Sequence, residues 1–88
     1  MPEPGRTEAR MSTDINDHIQ VIAVFDDGIR PAKFKWRGRT YPVREITYTW
    51  GSKDGAASLV HFSVTDGATL FELVYNASTM QWSLERTE

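Results

Sequence analysis

From residue 19 onward, apolar and polar residues alternate with a period of two, and no stretch of ten or more positions carries apolar residues at helical spacing. Strand side chains point alternately to opposite faces, so the pattern predicts β-strands rather than helices. The most apolar run is 19–25, with Ile19, Val21, Ala23 and Phe25 on one parity and Ile22 and Val24 on the other. A strand apolar on both faces is expected to be central or covered. Asp26-Asp27-Gly28 supplies the turn after it, glycine accepting the positive φ that such turns demand. Pro31 opens a second strand, where a missing N–H costs nothing, and Ala32, Phe34 and Trp36 are expected to point inward.

The chain turns at Gly38 and runs on over 40–50. Tyr41 and Val43 share one parity, whereas Ile46, Tyr48 and Trp50 share the other, so the inward phase slips once near Arg44-Glu45, as a β-bulge would produce. After the turn formers of 51–55, the run 59–65 places Val60, Phe62 and Val64 on one face and His61, Ser63 and Thr65 on the other. Asp66-Gly67 is a strong hairpin signal. It leads into 70–75, with Phe71, Leu73 and Tyr75 inward and Leu70, Glu72 and Val74 outward. A loop at 76–79 precedes a last strand over 81–85 that buries Trp82 and Leu84.

The pattern therefore predicts an all-β fold of about six short antiparallel strands. Connections of a few residues cannot make parallel crossovers, which leaves a meander. The aromatics and the bulge suggest a strongly curved sheet or a small barrel that hides its edges. The expected core is Phe34, Trp36, Tyr41, Val43, Phe62, Val64, Phe71, Leu73 and Trp82. Residues 1–16, with two prolines, a glycine and no apolar periodicity, read as a disordered tail, and 17–88 as a single domain starting near His18. Met11 is a second possible initiator.

Composition narrows the chemistry. The chain has 88 residues, which allows one domain, and no cysteine, which removes disulfides and thiolate metal sites. With no apolar leader and no run of about 18 apolar residues, the expected location is the cytoplasm, without a membrane. The net charge of −2 is unevenly distributed: Arg30, Lys33, Lys35, Arg37, Arg39 and Arg44 lie together with no carboxylate between them, +6 against −8 for the remainder.

Catalysis finds little footing. His18 and His61 have no neighbouring motif to orient them, Asp26-Asp27 is better explained as a turn than as a carboxylate pair, and Gly51 and Gly55 lack the lysine and helix of a phosphate loop. No metal-ligand spacing occurs, so the expectation is a non-enzymatic chain without cofactor or metal. The candidate binding residues are Lys33, Lys35, Arg37, Arg39 and Arg44. Lysines and arginines interleaved with Phe34, Trp36 and Tyr41 could serve phosphates and bases, although parity points those aromatics away from the lysines. The same charges could equally be a solvated face that discourages edge pairing. The reading is a protein-binding module using the hairpin 30–44, with a nucleic-acid accessory module as the alternative. Trp50, Tyr48 and Val74 are further surface candidates if they escape the core.

The set Pro31, Phe34, Trp36-Arg37-Gly38-Arg39, Tyr41, Val43, Ile46, Trp50, Phe62, Val64, Phe71-Glu72-Leu73, Tyr75, Trp82 and Leu84 resembles a family of small, uncharacterised bacterial β-domains built around a Trp-Arg-Gly-Arg hairpin. Members occur near, or fused to, Y-family DNA polymerases. The resemblance spans about residues 29–85 and implies a small β-fold, a bacterial cytoplasmic setting and DNA-associated work; it implies no binding or catalytic residues.

Overall fold

The computed structural model describes residues 13–88, which form seven strands and no helix. They are β1 (Thr13–Phe25), β2 (Ile29–Trp36), β3 (Arg39–Pro42), β4 (Glu45–Asp54), β5 (Ala57–Thr65), β6 (Leu70–Asn76) and β7 (Gln81–Thr87). All are antiparallel in one sheet of order β3-β2-β1-β7-β6-β5-β4. The all-β antiparallel expectation holds, with seven strands in place of six. Residues 40–50, read as one bent strand, are two strands at opposite ends of the sheet. Strand β1 also begins four residues inside the segment read as a tail, with Asp14 paired to Arg86 and Asp17 to Leu84. Residues 1–12, with the rest of that tail and Met11, lie outside the described residues.

The ends of the sheet meet at two consecutive residues. The Val43 N–H donates to the Ala32 carbonyl of β2 (2.9 Å), and the Arg44 N–H donates to the Thr65 carbonyl of β5 (2.8 Å). A sheet whose first and last strands are joined so tightly has to curl. No ladder links β3 to β4, so the roll is held shut by the chain rather than by a strand pair. The curl brings distant strands face to face: Phe34 of β2 packs edge-on to Phe71 of β6 at 5.0 Å and stacks on Tyr41 of β3 at 5.2 Å. On the other side of the interior Trp82 meets Phe62 and Tyr75 at 5.6 and 5.0 Å. Phe34, Phe62, Val64, Phe71, Leu73, Trp82 and Leu84 form the buried core, with Trp36, Tyr41 and Val43 partly buried against it.

Register shifts bend the strands where the inward pattern breaks. In β2, Ile22 pairs with Lys33 but Ala23 pairs with Pro31, so Ala32 is the extra residue. Ala32, expected inward, is therefore exposed, and Pro31 is buried in its place. A bulge is one of the few sites inside a sheet that tolerates proline. In β4 the shift falls at Thr47, whose hydroxyl donates to the Ser63 carbonyl (3.0 Å). The change of phase between Val43 and Ile46, expected from a β-bulge, comes instead from the break between β3 and β4, and the bulge itself lies at Thr47. That bulge turns Tyr48 and Trp50 to the outer face, opposite Ser63 and His61. The β2–β3 turn, Arg37-Gly38, has φ of 51° and 80°, the two positive angles of the tight hairpin turn that matches strand twist.

Leu73 is fully buried and Tyr48 is 65% exposed. Leu73→Ala is expected to cost about 2–5 kcal/mol in urea unfolding, and Tyr48→Ala to stay within about 0.5 kcal/mol of the parent.

Candidate functional site

The basic hairpin separates its charges by strand parity. On the outer face, cross-strand rows run Gln20, Lys35, Thr40 and Ile22, Lys33, Pro42, followed by Val24 beside Arg30. Lys33 and Lys35 are exposed, and among the described residues no carboxylate lies within salt-bridge distance of either. With Gln20, Ile22 and Thr40 they line a groove of about 260 Å³. Ile22 is 57% exposed and Val24 39%. Strand β1 is central by pairing, yet its outer apolar residues are uncovered.

The arginines are engaged elsewhere. Arg37 Nε donates to Asp17 Oδ2 at 3.2 Å, and the guanidinium lies 4.7 Å from the Trp36 ring centre. Arg39 sits 5.3 Å from the Tyr41 ring centre, on the parity opposite the lysines. Arg44 lies across Gly67, where a Cβ would stand 3.2 Å from its Cδ. Arg30 pairs with Asp26 at 3.0 Å. Of the five predicted residues, the structure brings together Lys33 and Lys35 and disperses Arg37, Arg39 and Arg44.

Asp17 of β1 fastens the turn end of the hairpin. The Trp36 indole Nε1–H donates to Asp17 Oδ2 at 2.8 Å. That bond, followed by Arg37, holds the carboxyl below its ordinary 3.8. Asp26 is lowered by the Asp27 N–H and Arg30, and Asp66 by the N–H groups of Ala68 and Thr69 with a contribution from Arg39. The two turn aspartates that follow β1 and β5 thus act as turn formers, each accepting local backbone N–H groups.

A second constellation, absent from the sequence reading, crosses the outer face of β4 to β7 and reaches β1. His61 Nδ1 lies 3.1 Å from Glu72 Oε2, and His61 Nε2 lies 2.7 Å from Ser52 Oγ. A carboxylate can only accept here, so Nδ1 carries a proton toward Glu72; in the neutral imidazole Nε2 then accepts from the Ser52 hydroxyl. Arg86 reaches Glu72 at 3.5 Å and Asp14 at 3.6 Å. Trp50 stacks on the imidazole at 4.8 Å, with Tyr48 5.4 Å from Trp50. The nearby cavity, about 260 Å³, is lined by Tyr48, Trp50, Leu70, Glu72 and Arg86 and not by Ser52 or His61. The relay links β4, β5, β6, β7 and β1 across the outer face, with Trp50 stacked against it. Val74, expected outward, does point outward in the row of His61 and Ser83, but it is only 6% exposed. His18 lies on the same row beyond Ser83 and is exposed. Among the described residues no group of three His, Cys, Asp or Glu is placed to hold a metal ion.

No protein-family model, no curated protein and no solved structure matches this chain.

Because the folded Asp17 carboxyl titrates below 3.8, its ionised form is favoured in the fold. Its contribution is fully present above that value and is lost as pH falls through the lower folded value. The Trp36 Nε1–H resonance is accordingly expected to shift with a midpoint below 3.8, and Asp17→Asn to abolish the transition.

Proposed function

We propose that the domain is a non-catalytic binding module that receives an acidic, partly apolar protein segment on the outer face of β1, β2 and β3. The observation that supports this most is the coincidence of exposed Ile22 and Val24 with Lys33 and Lys35 on one face. Isolated exposed apolar residues are ordinary, but an apolar strip flanked by cations with no carboxylate partner among the described residues matches a ligand that alternates acids with apolar side chains. Nucleic acid fits this face less well. Phe34 is buried, and Trp36 and Tyr41 lie under Arg37 and Arg39 on the other parity. Among the described residues the lysines thus have no exposed aromatic beside them on which a base could stack. The resemblance to polymerase-associated domains is the reason to keep single-stranded DNA in the test.

Amide NMR titration with an extended peptide alternating Glu and Leu, and separately with single-stranded DNA, distinguishes the two. Saturable shifts over residues 20–24 and 33–35 with the peptide, persisting in part at high salt because of the apolar contacts, are expected. Lys33→Glu with Lys35→Glu should weaken binding at least about tenfold, equivalent to about 1.4 kcal/mol, while leaving stability within about 0.5 kcal/mol. Saturable shifts with DNA alone, with a steep logarithmic salt dependence, would replace this reading with the nucleic-acid one.

A further inference from the structure

The pairing of β1 with β7 ends at Ile19 and Trp82, whereas its pairing with β2 continues to Phe25 and Ile29. Residues 21–25 consequently have a strand on one side only among the described residues. The hairpin of β1 and β2 projects past the end of β7 as an arm with an open edge of N–H and C=O groups. Exposed edges in natural sheets are usually blunted by lysine, proline or a bulge. This one carries none of these: its residues are Val21, Ile22, Ala23, Val24 and Phe25, and the local bulge lies in β2. Three of the six large apolar side chains exposed among the described residues fall on it, Ile22 at 57%, Val24 at 39% and Phe25 at 69%. A fourth, Met80 at 73%, stands where β7 gives out.

We infer that this edge pairs with the same edge of a second copy of the chain, antiparallel about a two-fold axis at Ala23. In that register Val21 faces Phe25 of the other copy, Ile22 faces Val24, and the small Ala23 faces itself. Every position on the open edge meets an apolar residue. The first polar pair, Gln20 against Asp26, brings no like charges together. The axis also sets Phe25 of each copy beside the groove of about 380 Å³ that Ile19, Val21, Met80 and Trp82 help to line at the end of β7 in the other. A free peptide would gain the five-residue ladder alone. A second copy gains the ladder and fills two such grooves, as a self-complementary interface must. This pairing uses no ligand; it shares Ile22 and Val24 with the face proposed for an acidic segment, but engages the backbone edge of β1 and Phe25, and neither Lys33 nor Lys35 takes part.

Sedimentation equilibrium of the full chain over a wide range of concentrations is expected to show a reversible monomer–dimer equilibrium. Phe25→Glu, at a site 69% exposed, should weaken it at least about tenfold with an unchanged amide NMR fold pattern. Because the chain has no cysteine, Ala23→Cys tests the axis directly. Residues directly opposite in an antiparallel pair have Cα atoms about 4.5–5.5 Å apart, within disulfide reach. Mild oxidation should therefore link Ala23→Cys into a covalent dimer far faster than Thr49→Cys on the edge strand β4. A chain that stays monomeric at every concentration, or a dimer indifferent to Phe25→Glu and cross-linked no faster through position 23 than through position 49, would overturn the inference.

Discussion

The two residues Val43 and Arg44 set the geometry of the whole domain. Their N–H groups bond to β2 and β5, strands on opposite flanks of a seven-stranded order, although the residues are adjacent in the chain. Peptide geometry allows so short a link to join the flanks only if the sheet rolls up. Rolling creates an interior, and the interior is what lets Phe34, Tyr41 and Phe71 touch across it. The small core follows from this constraint, as does the need for bulges, because seven strands cannot curve this far with an unbroken ladder.

Strand alternation then divides the chemistry. The inner parity takes most of the aromatic mass, Tyr48 and Trp50 lying outside, and the outer parity takes Lys33 and Lys35 on one side of the molecule and a polar clamp on the other. The clamp from Ser52 through His61, Glu72 and Arg86 to Asp14 crosses five strands. It shows how a serine, a histidine and a glutamate can come into line through register alone. The arginines of the Trp-Arg-Gly-Arg turn lie over aromatic rings or beside a carboxylate, which leaves Lys33 and Lys35 as exposed charges of the outer face of β2.

Much of the fold was legible because period-two alternation and strong turn signals agree over residues 59–85. There the expected inward set, Val60, Phe62, Val64, Phe71, Leu73, Tyr75, Trp82 and Leu84, matches the set that packs on the core. Legibility failed where a single residue reset the phase. Thr47 looks like any β-former, and only the pairing of Ile46 with Val64 and of Tyr48 with Ser63 reveals it as extra. The facing of the rest of β4 was hidden with it, including the stacking of Trp50 on His61. Ala32 was misplaced for the same reason. The exposure of Ile22 and Val24 depends on where β7 stops and on what lies above β1, and neither is encoded in the alternation of residues 19–25. The basic cluster was plain in the sequence, but its dispersal was not, since each arginine finds its ring or carboxylate through the curl.

The pairing of Thr13 with Thr87 has a consequence of another kind. The outer ends of the first and last strands are direct neighbours in the sheet, so the strands form a cycle in which covalent succession is interrupted only there. A peptide joining position 88 to position 13 would span a gap already closed by hydrogen bonds. The chain could then be opened at a solvent-exposed turn such as Gly55-Ala56 with the strand ladders kept. Among the described strands, every sheet neighbour but the pair β1–β7 is also a neighbour along the chain, so the strand order follows a ring.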